Sequence, residues 1–71
     1  MIDRDAKEKL IKEFRMMQEF EASARDYYLK AAGDPVVCGG EIGAEFGRIA
    51  SQEESHIKIV GKIIALINEN L

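Results

Sequence analysis

The chain has 71 residues, enough for one small domain, and a chain of this length buries only about 60% of its unfolded surface. It carries 13 acidic and 10 basic residues, and the net charge of −3 argues against a nucleic-acid partner and, more weakly, against an anionic membrane. Hydrophobic residues make up 46% and charged residues 32% of the chain, as in folded soluble proteins rather than disordered ones.

Targeting signals and cysteine use both favour the cytoplasm. No apolar run approaches the roughly 18 residues of a transmembrane helix. The first five residues, Met1 to Asp5, are too charged for a signal peptide. The single cysteine, Cys38, excludes a disulfide framework within one chain and any site built from cysteines alone, such as a rubredoxin-type centre. We therefore expect a cytoplasmic protein.

The first predicted helix covers residues 6–32. Asp5 with Glu8 three residues later forms the pattern of a capping box. From there to residue 32 the chain is rich in Ala, Leu, Met, Lys and Glu and contains neither Pro nor Gly. Gly33 is expected to end the helix, since Pro35 follows two residues later.

Residues 33–40 predict a loop, and the second helix is expected over 41–70. Asp34 and Pro35 could instead begin a helix directly, with Pro at its first position. The Gly39-Gly40 pair makes that start costly. Two long helices joined by a short loop predict an all-α antiparallel hairpin, with the whole chain, 1–71, as one domain.

Apolar residues recur at alternating spacings of four and three in both helices. In the first helix the positions are Leu10, Phe14, Met17, Glu21, Ala24, Tyr28 and Ala31. In the second they are Ile42, Phe46, Ile49, Glu53, His56, Val60, Ile63 and Ile67. Such a set, here called a seam, is typical of a stripe that faces a helical core. Each seam is apolar except near its middle, where Glu21, Glu53 and His56 stand.

Two helices cannot cover all of these apolar side chains. The second half of the second helix carries further apolar residues beyond its seam, namely Ile57, Ile59, Ile64, Ala65 and Leu66. An isolated hairpin would leave many of them in water. We therefore expect self-association, and the simplest product is a dimer of hairpins that forms a four-helix bundle.

The three polar seam residues are expected to meet. If the loop is centred near residue 37, residues whose numbers sum to about 74 lie at the same height, as Glu21 and Glu53 do. His56 follows Glu53 by three residues and projects from the same helix face. Buried carboxylates need compensation, and no Lys or Arg stands on either seam. A divalent cation would satisfy both carboxylates and the imidazole.

A dimer would double this set to four Glu and two His. Two Glu together with two Glu-x-x-His motifs are the ligand set of ferritin-like di-iron and di-manganese proteins. Oxygen-rich ligands with one imidazole per metal suit iron(II) or manganese, and zinc is also compatible. Carboxylates that bridge two metals suit two-electron chemistry with oxygen or peroxide.

Two segments carry a family resemblance: EASARDYYLKAA over residues 21–32 and FGRIASQEESH over 46–56. Together they resemble one helical hairpin of the rubrerythrin branch of the ferritin-like superfamily. Full ferritins and rubrerythrins carry two such hairpins in one chain, so a chain with one more closely resembles the encapsulated ferritin-like proteins, in which two subunits complete the site. The resemblance implies Glu21, Glu53 and His56 as iron ligands and as catalytic residues. It also implies a catalytic role for Tyr28 beside the site, and an aromatic residue at the position of Tyr27.

The resemblance implies a function as well. It indicates a non-haem di-iron protein that oxidises Fe(II) with oxygen or peroxide, as a ferroxidase in iron storage or detoxification. One alternative is a rubrerythrin-like peroxidase half-site, which would need a partner reductase because the chain lacks a rubredoxin domain. Another is a non-catalytic, metal-stabilised oligomerisation module. An encapsulin shell is a further partner that the resemblance implies, and the protein would then lie inside that compartment in the cytoplasm.

Simpler interpretations stay open for individual residues. A different helix phase would put Glu21, Glu53 and His56 on a solvated flank. Glu54 is expected to be solvated, and Glu45 is a weaker candidate for an auxiliary carboxylate. Other residues with ordinary roles are Met16 and Met17 as core filler and Cys38 as a free thiol.

Overall fold

The computed structural model describes residues 3–71, and Met1 and Ile2 lie outside the described part. Helix α1 spans Arg4–Ala32 and helix α2 spans Glu41–Asn70, with no strand among the described residues. Contacts between the start of α1 and the end of α2 make the pair an antiparallel hairpin about 52 Å long. The predicted all-α hairpin, its loop over 33–40 and the bounds of the second helix are confirmed. Neither helix in residues 3–71 has an apolar stretch that could span a bilayer.

The start of α1 differs from the prediction. Asp3, rather than Asp5, caps the helix, because its carboxylate accepts a hydrogen bond from the backbone N–H of Ala6 at 2.8 Å. Glu8, the supposed partner in a capping box, instead accepts from the Arg4 guanidinium one turn earlier at 3.0 Å. The predicted capping box is therefore wrong, and the helix begins two residues earlier than expected.

The loop turns the chain within eight residues. Gly33 ends α1 in a right-handed conformation, and the Asp34 side chain accepts from the backbone N–H of Val36 at 2.8 Å. Gly39 has a φ of +80°, which favours glycine. Gly43, in the first turn of α2, lies directly under the loop, since a Cβ atom built on it would stand 2.6 Å from the Val37 carbonyl oxygen.

The interior of the hairpin is small and is displaced from the predicted seams. Its buried apolar residues are Ala50, Val60, Ile64 and Ile67, all from α2. Val60 and Ile67 belong to the predicted seam, but Ala50 and Ile64 lie one position beside it. Ile42, a seam residue, is 60% exposed. The contact between α1 and α2 therefore includes positions beside the α2 seam as well as positions on it.

A polar contact across the helices fixes their register near the middle. The Gln18 side-chain amide donates a hydrogen bond to the backbone carbonyl of Ile57 at 3.1 Å. Gly61 makes this approach possible, because a Cβ atom there would stand 3.3 Å from the Gln18 amide nitrogen. The residue numbers 18 and 57 sum to 75, close to the predicted value, so residues of matching sum do lie at the same height.

The two glycines of the first half of α2 provide a test of this packing. We expect Gly43→Ala to lower the free energy of unfolding by about 1–3 kcal/mol, because the new methyl group collides with loop backbone. Gly47→Ala, where a Cβ meets nothing within 4 Å, should raise it by up to about 1 kcal/mol through helix propensity. Urea denaturation followed by circular dichroism measures both, and equal effects of the two variants would contradict the described loop contact.

Candidate metal centre

Three side chains from the two helices meet near the middle of the hairpin. Glu21 of α1 and Glu53 and His56 of α2 each offer a ligand atom, and these atoms all lie within 4.8 Å of one another. The His56 Nδ1 atom stands 3.8 Å from the Glu53 Oε1 atom and 4.0 Å from the Glu21 Oε1 atom. Residues three apart on a helix share a face, which explains why Glu53 and His56 approach Glu21 together.

The two carboxylates are largely withdrawn from water. The side chains of Glu21 and Glu53 are 20% and 21% exposed. The Glu21 Oε2 atom is buried and has no hydrogen-bond partner among the described residues. A buried acceptor without a partner costs about 1–3 kcal/mol, and more when it carries charge. The Glu21 carboxylate is therefore unfavourable on its own, and a cation bound to it would remove the cost.

The donor set fits a divalent metal. Two carboxylates and one imidazole are the ligand types that Fe(II) and Mn(II) take in proteins, and Zn(II) accepts the same set. Three ligands leave coordination positions open for water, a substrate or further side chains. The His56 side chain is 54% exposed, so the group opens towards solvent on one side of the hairpin.

An ion pair crosses the helices beside the three candidate ligands. The Arg25 Nη1 atom donates to the Glu54 Oε2 atom at 2.5 Å, and the Arg25 Nε atom donates to Asp26 at 3.0 Å. Hydrogen bonds to Glu54 and then to Asp26 raise the pKa of Arg25 above its ordinary value. The sequence suggested that Glu54 is merely solvated, but its side chain is 42% exposed and engaged with α1. The sequence signal for this pair is Arg25 itself, a basic residue one turn after Glu21.

Tyr28 lies on the same face of α1 as Glu21 but two turns away, about 10 Å along the axis. Its ring packs against Phe46, with centroids 5.9 Å apart, and against the edge of the Tyr27 ring at 5.7 Å. Within residues 3–71 its hydroxyl makes no hydrogen bond to the three candidate ligands. The structure therefore gives Tyr28 a packing role, and its catalytic role stays a prediction.

The remaining candidates lie elsewhere. Glu45 is paired with Arg48 on an exposed face of α2, and the hydrogen bond from Arg48 lowers the pKa of Glu45. Glu45 is therefore not part of the group of three ligands. Met16 and Met17 are about half exposed in the hairpin rather than packed in its interior. Cys38 is an exposed free thiol in the loop.

Comparison of the chain with models of known families, with curated proteins and with solved structures found no match.

The cost of the partnerless Glu21 carboxylate oxygen can be measured without a metal. We expect Glu21→Met to raise the free energy of unfolding of the metal-free protein by about 1 kcal/mol, since an apolar side chain needs no partner. The same change at the exposed Glu19 should have an effect within about 0.5 kcal/mol. Denaturation in the presence of a chelator gives both values, and a destabilised Glu21→Met variant would contradict the described burial.

Proposed function

We propose that two copies of this hairpin bind a pair of iron ions between them and oxidise Fe(II) with oxygen or peroxide, in iron storage or detoxification. The observation that supports this most is the convergence of Glu21, Glu53 and His56 within 4.8 Å, with one buried carboxylate oxygen left without a partner. The resemblance of residues 21–32 and 46–56 to a rubrerythrin-type hairpin supports iron over other metals.

In this proposal Glu21, Glu53 and His56 each contribute to binding the metal. The carboxylates of Glu21 and Glu53 would hold the cations and neutralise their charge. The His56 imidazole would contribute a nitrogen ligand, which makes three donors per hairpin. Iron bound there supplies electron transfer to oxygen or peroxide. Fe(II) is at the same time the substrate, so the open side of the group at His56 gives it a path of entry.

Surface area supports the dimer in this proposal. The hairpin exposes 5419 Å². A compact monomer of 8.0 kDa is expected to expose about 4,450 Å². The excess of about 1,000 Å² slightly exceeds the roughly 800 Å² that each partner buries in a protein interface of standard size.

The excess area is rich in large apolar side chains. Those that helical phase places on the same side of the hairpin as His56 are called the open face: Met17, Phe20, Tyr27, Ile42, Ile59 and Leu66. All six are between 45% and 73% exposed. Since His56 opens onto this face, a second copy seated on it would bring its own three ligands towards the first set.

A charge on the open face should separate the copies. We expect Phe20→Glu to convert a dimer into a monomer, because the new carboxylate would have to be buried beside Glu21. Leu29→Glu makes a similar change on the other flank of α1, where the side chain is 54% exposed, and should leave the dimer intact. Size-exclusion chromatography with light scattering reports the mass, and a wild-type monomer at about 100 µM chain would contradict this part of the proposal.

Metal binding is tested by native mass spectrometry after an anaerobic Fe(II) titration. We expect two irons per pair of chains and their loss in Glu53→Ala, because that variant removes a ligand from each hairpin. Glu69→Ala, a change of the same kind at an exposed position, should keep both irons.

The outcomes of this titration separate the alternatives. An oligomer without iron directs the same titration to Mn(II) and Zn(II). If neither iron, Mn(II) nor Zn(II) binds, the role left for the polar seam residues is to specify how the helices pair. If iron binds and peroxide oxidises it much faster than oxygen does, a peroxidase half-site with a partner reductase replaces the ferroxidase.

A second candidate is a metal-stabilised oligomerisation module without turnover, and the small interior of four buried apolar side chains favours it. Such a module needs a metal only to hold its subunits together. Glu53→Ala would then weaken the oligomer, and the wild type would oxidise Fe(II) no faster than buffer does. Oxygen-dependent oxidation that persists in Glu53→Ala would count against the ferroxidase.

A further inference from the structure

One basic residue stands close enough along a helix to compete with a metal. Positions three and four residues away are neighbours on a helix surface. Among all such neighbours of Glu21, Glu53 and His56, Arg25 is the one Lys or Arg. A Glu four residues before an Arg is also the more favourable order for an ion pair within a helix. In α1 alone, Arg25 would therefore pair with Glu21.

The hairpin shows a different pairing. The Arg25 guanidinium donates to Glu54 of α2 and to Asp26, and the Glu21 Oε2 atom keeps no partner among the described residues. Glu54 is the residue after the ligand Glu53, and it projects from α2 about 100° away from that ligand. Its carboxylate thus holds the guanidinium on the flank of the hairpin.

We infer that Glu54 is a positioning residue that holds Arg25 away from Glu21 and so keeps the Glu21 carboxylate available to a divalent cation. This inference rests on the proposed metal site. Glu54 is not one of the three candidate ligands, and its effect passes through Arg25. Without Glu54, the Nη1 atom of Arg25 loses its partner and becomes free to bind the carboxylate one turn earlier.

The size of the effect follows from the strength of such pairs. If Arg25 is ion-paired with Glu21, a cation must break that pair before it can bind the Glu21 carboxylate. For an ion pair of the strength found at partly exposed sites, this competition weakens cation binding about two- to fivefold. A loss of this size is well within the precision of a calorimetric titration.

The test titrates the full chain with Mn(II) alone by isothermal calorimetry. We expect Glu54→Gln to bind Mn(II) two to five times more weakly than the wild type. Arg25→Gln/Glu54→Gln should bind as the wild type does, because the competing guanidinium is gone. Circular dichroism checks that each variant keeps its helices, and Glu45→Gln, which frees Arg48 away from the site, should bind normally.

A third variant separates pairing from net charge. Glu54→Gln/Lys58→Gln also restores the wild-type charge, but Lys58 is not three or four residues from any ligand. It should stay as weak as Glu54→Gln. Unchanged binding in Glu54→Gln, equal recovery in both double variants, or no recovery in either, would each overturn the inference. A wild type that binds no Mn(II), Fe(II) or Zn(II) would instead remove the proposed metal site itself, and the inference with it.

Discussion

A two-helix hairpin has a single helix–helix contact, and the rest of this molecule follows from that constraint. Each long helix can bury one stripe of its surface against the other, and here the buried interior amounts to four apolar side chains. Six large apolar side chains and the half-exposed His56 are left on the open face. In the proposed dimer, a second copy would cover these apolar side chains and the candidate metal site together.

Near the middle of the hairpin, two carboxylates lie close together in a place with little access to water. Glu21 and Glu53 stand close together with little access to water, while the nearest arginine is engaged by Glu54. Carboxylates are rarely withdrawn from water in proteins unless a counter-charge or a metal ion accompanies them. Because Arg25 pairs with Glu54, the carboxylates of Glu21 and Glu53 lie side by side without an arginine partner, and this is the physical basis for proposing a cation there.

Much of this arrangement is encoded locally and could be predicted. Gly33 and Gly40 mark the loop, and the sum rule for antiparallel helices places Glu21 level with Glu53, as the structure shows. Other features depend on how the two helices pack against each other and on which residue caps a helix. Two aspartates near the N-terminus compete to cap α1, and periodicity does not say which flank of a seam the neighbouring helix covers. The sequence pattern does not predict the pairing of Arg25 with Glu54, because that pairing depends on the rotation of one helix relative to the other.

The contact of Lys7 with the backbone carbonyl of Asn68 brings both ends of the hairpin together, opposite the loop. The position of the two ends determines how long a linker must be to join two copies into one polypeptide. If paired hairpins lie parallel, a few residues suffice to join the end of one copy to the start of the next. If they lie antiparallel, the linker must run the 52 Å length of the hairpin, which takes at least about 15 extended residues. The shortest linker that still gives a single-chain bundle therefore measures the relative orientation of the two copies.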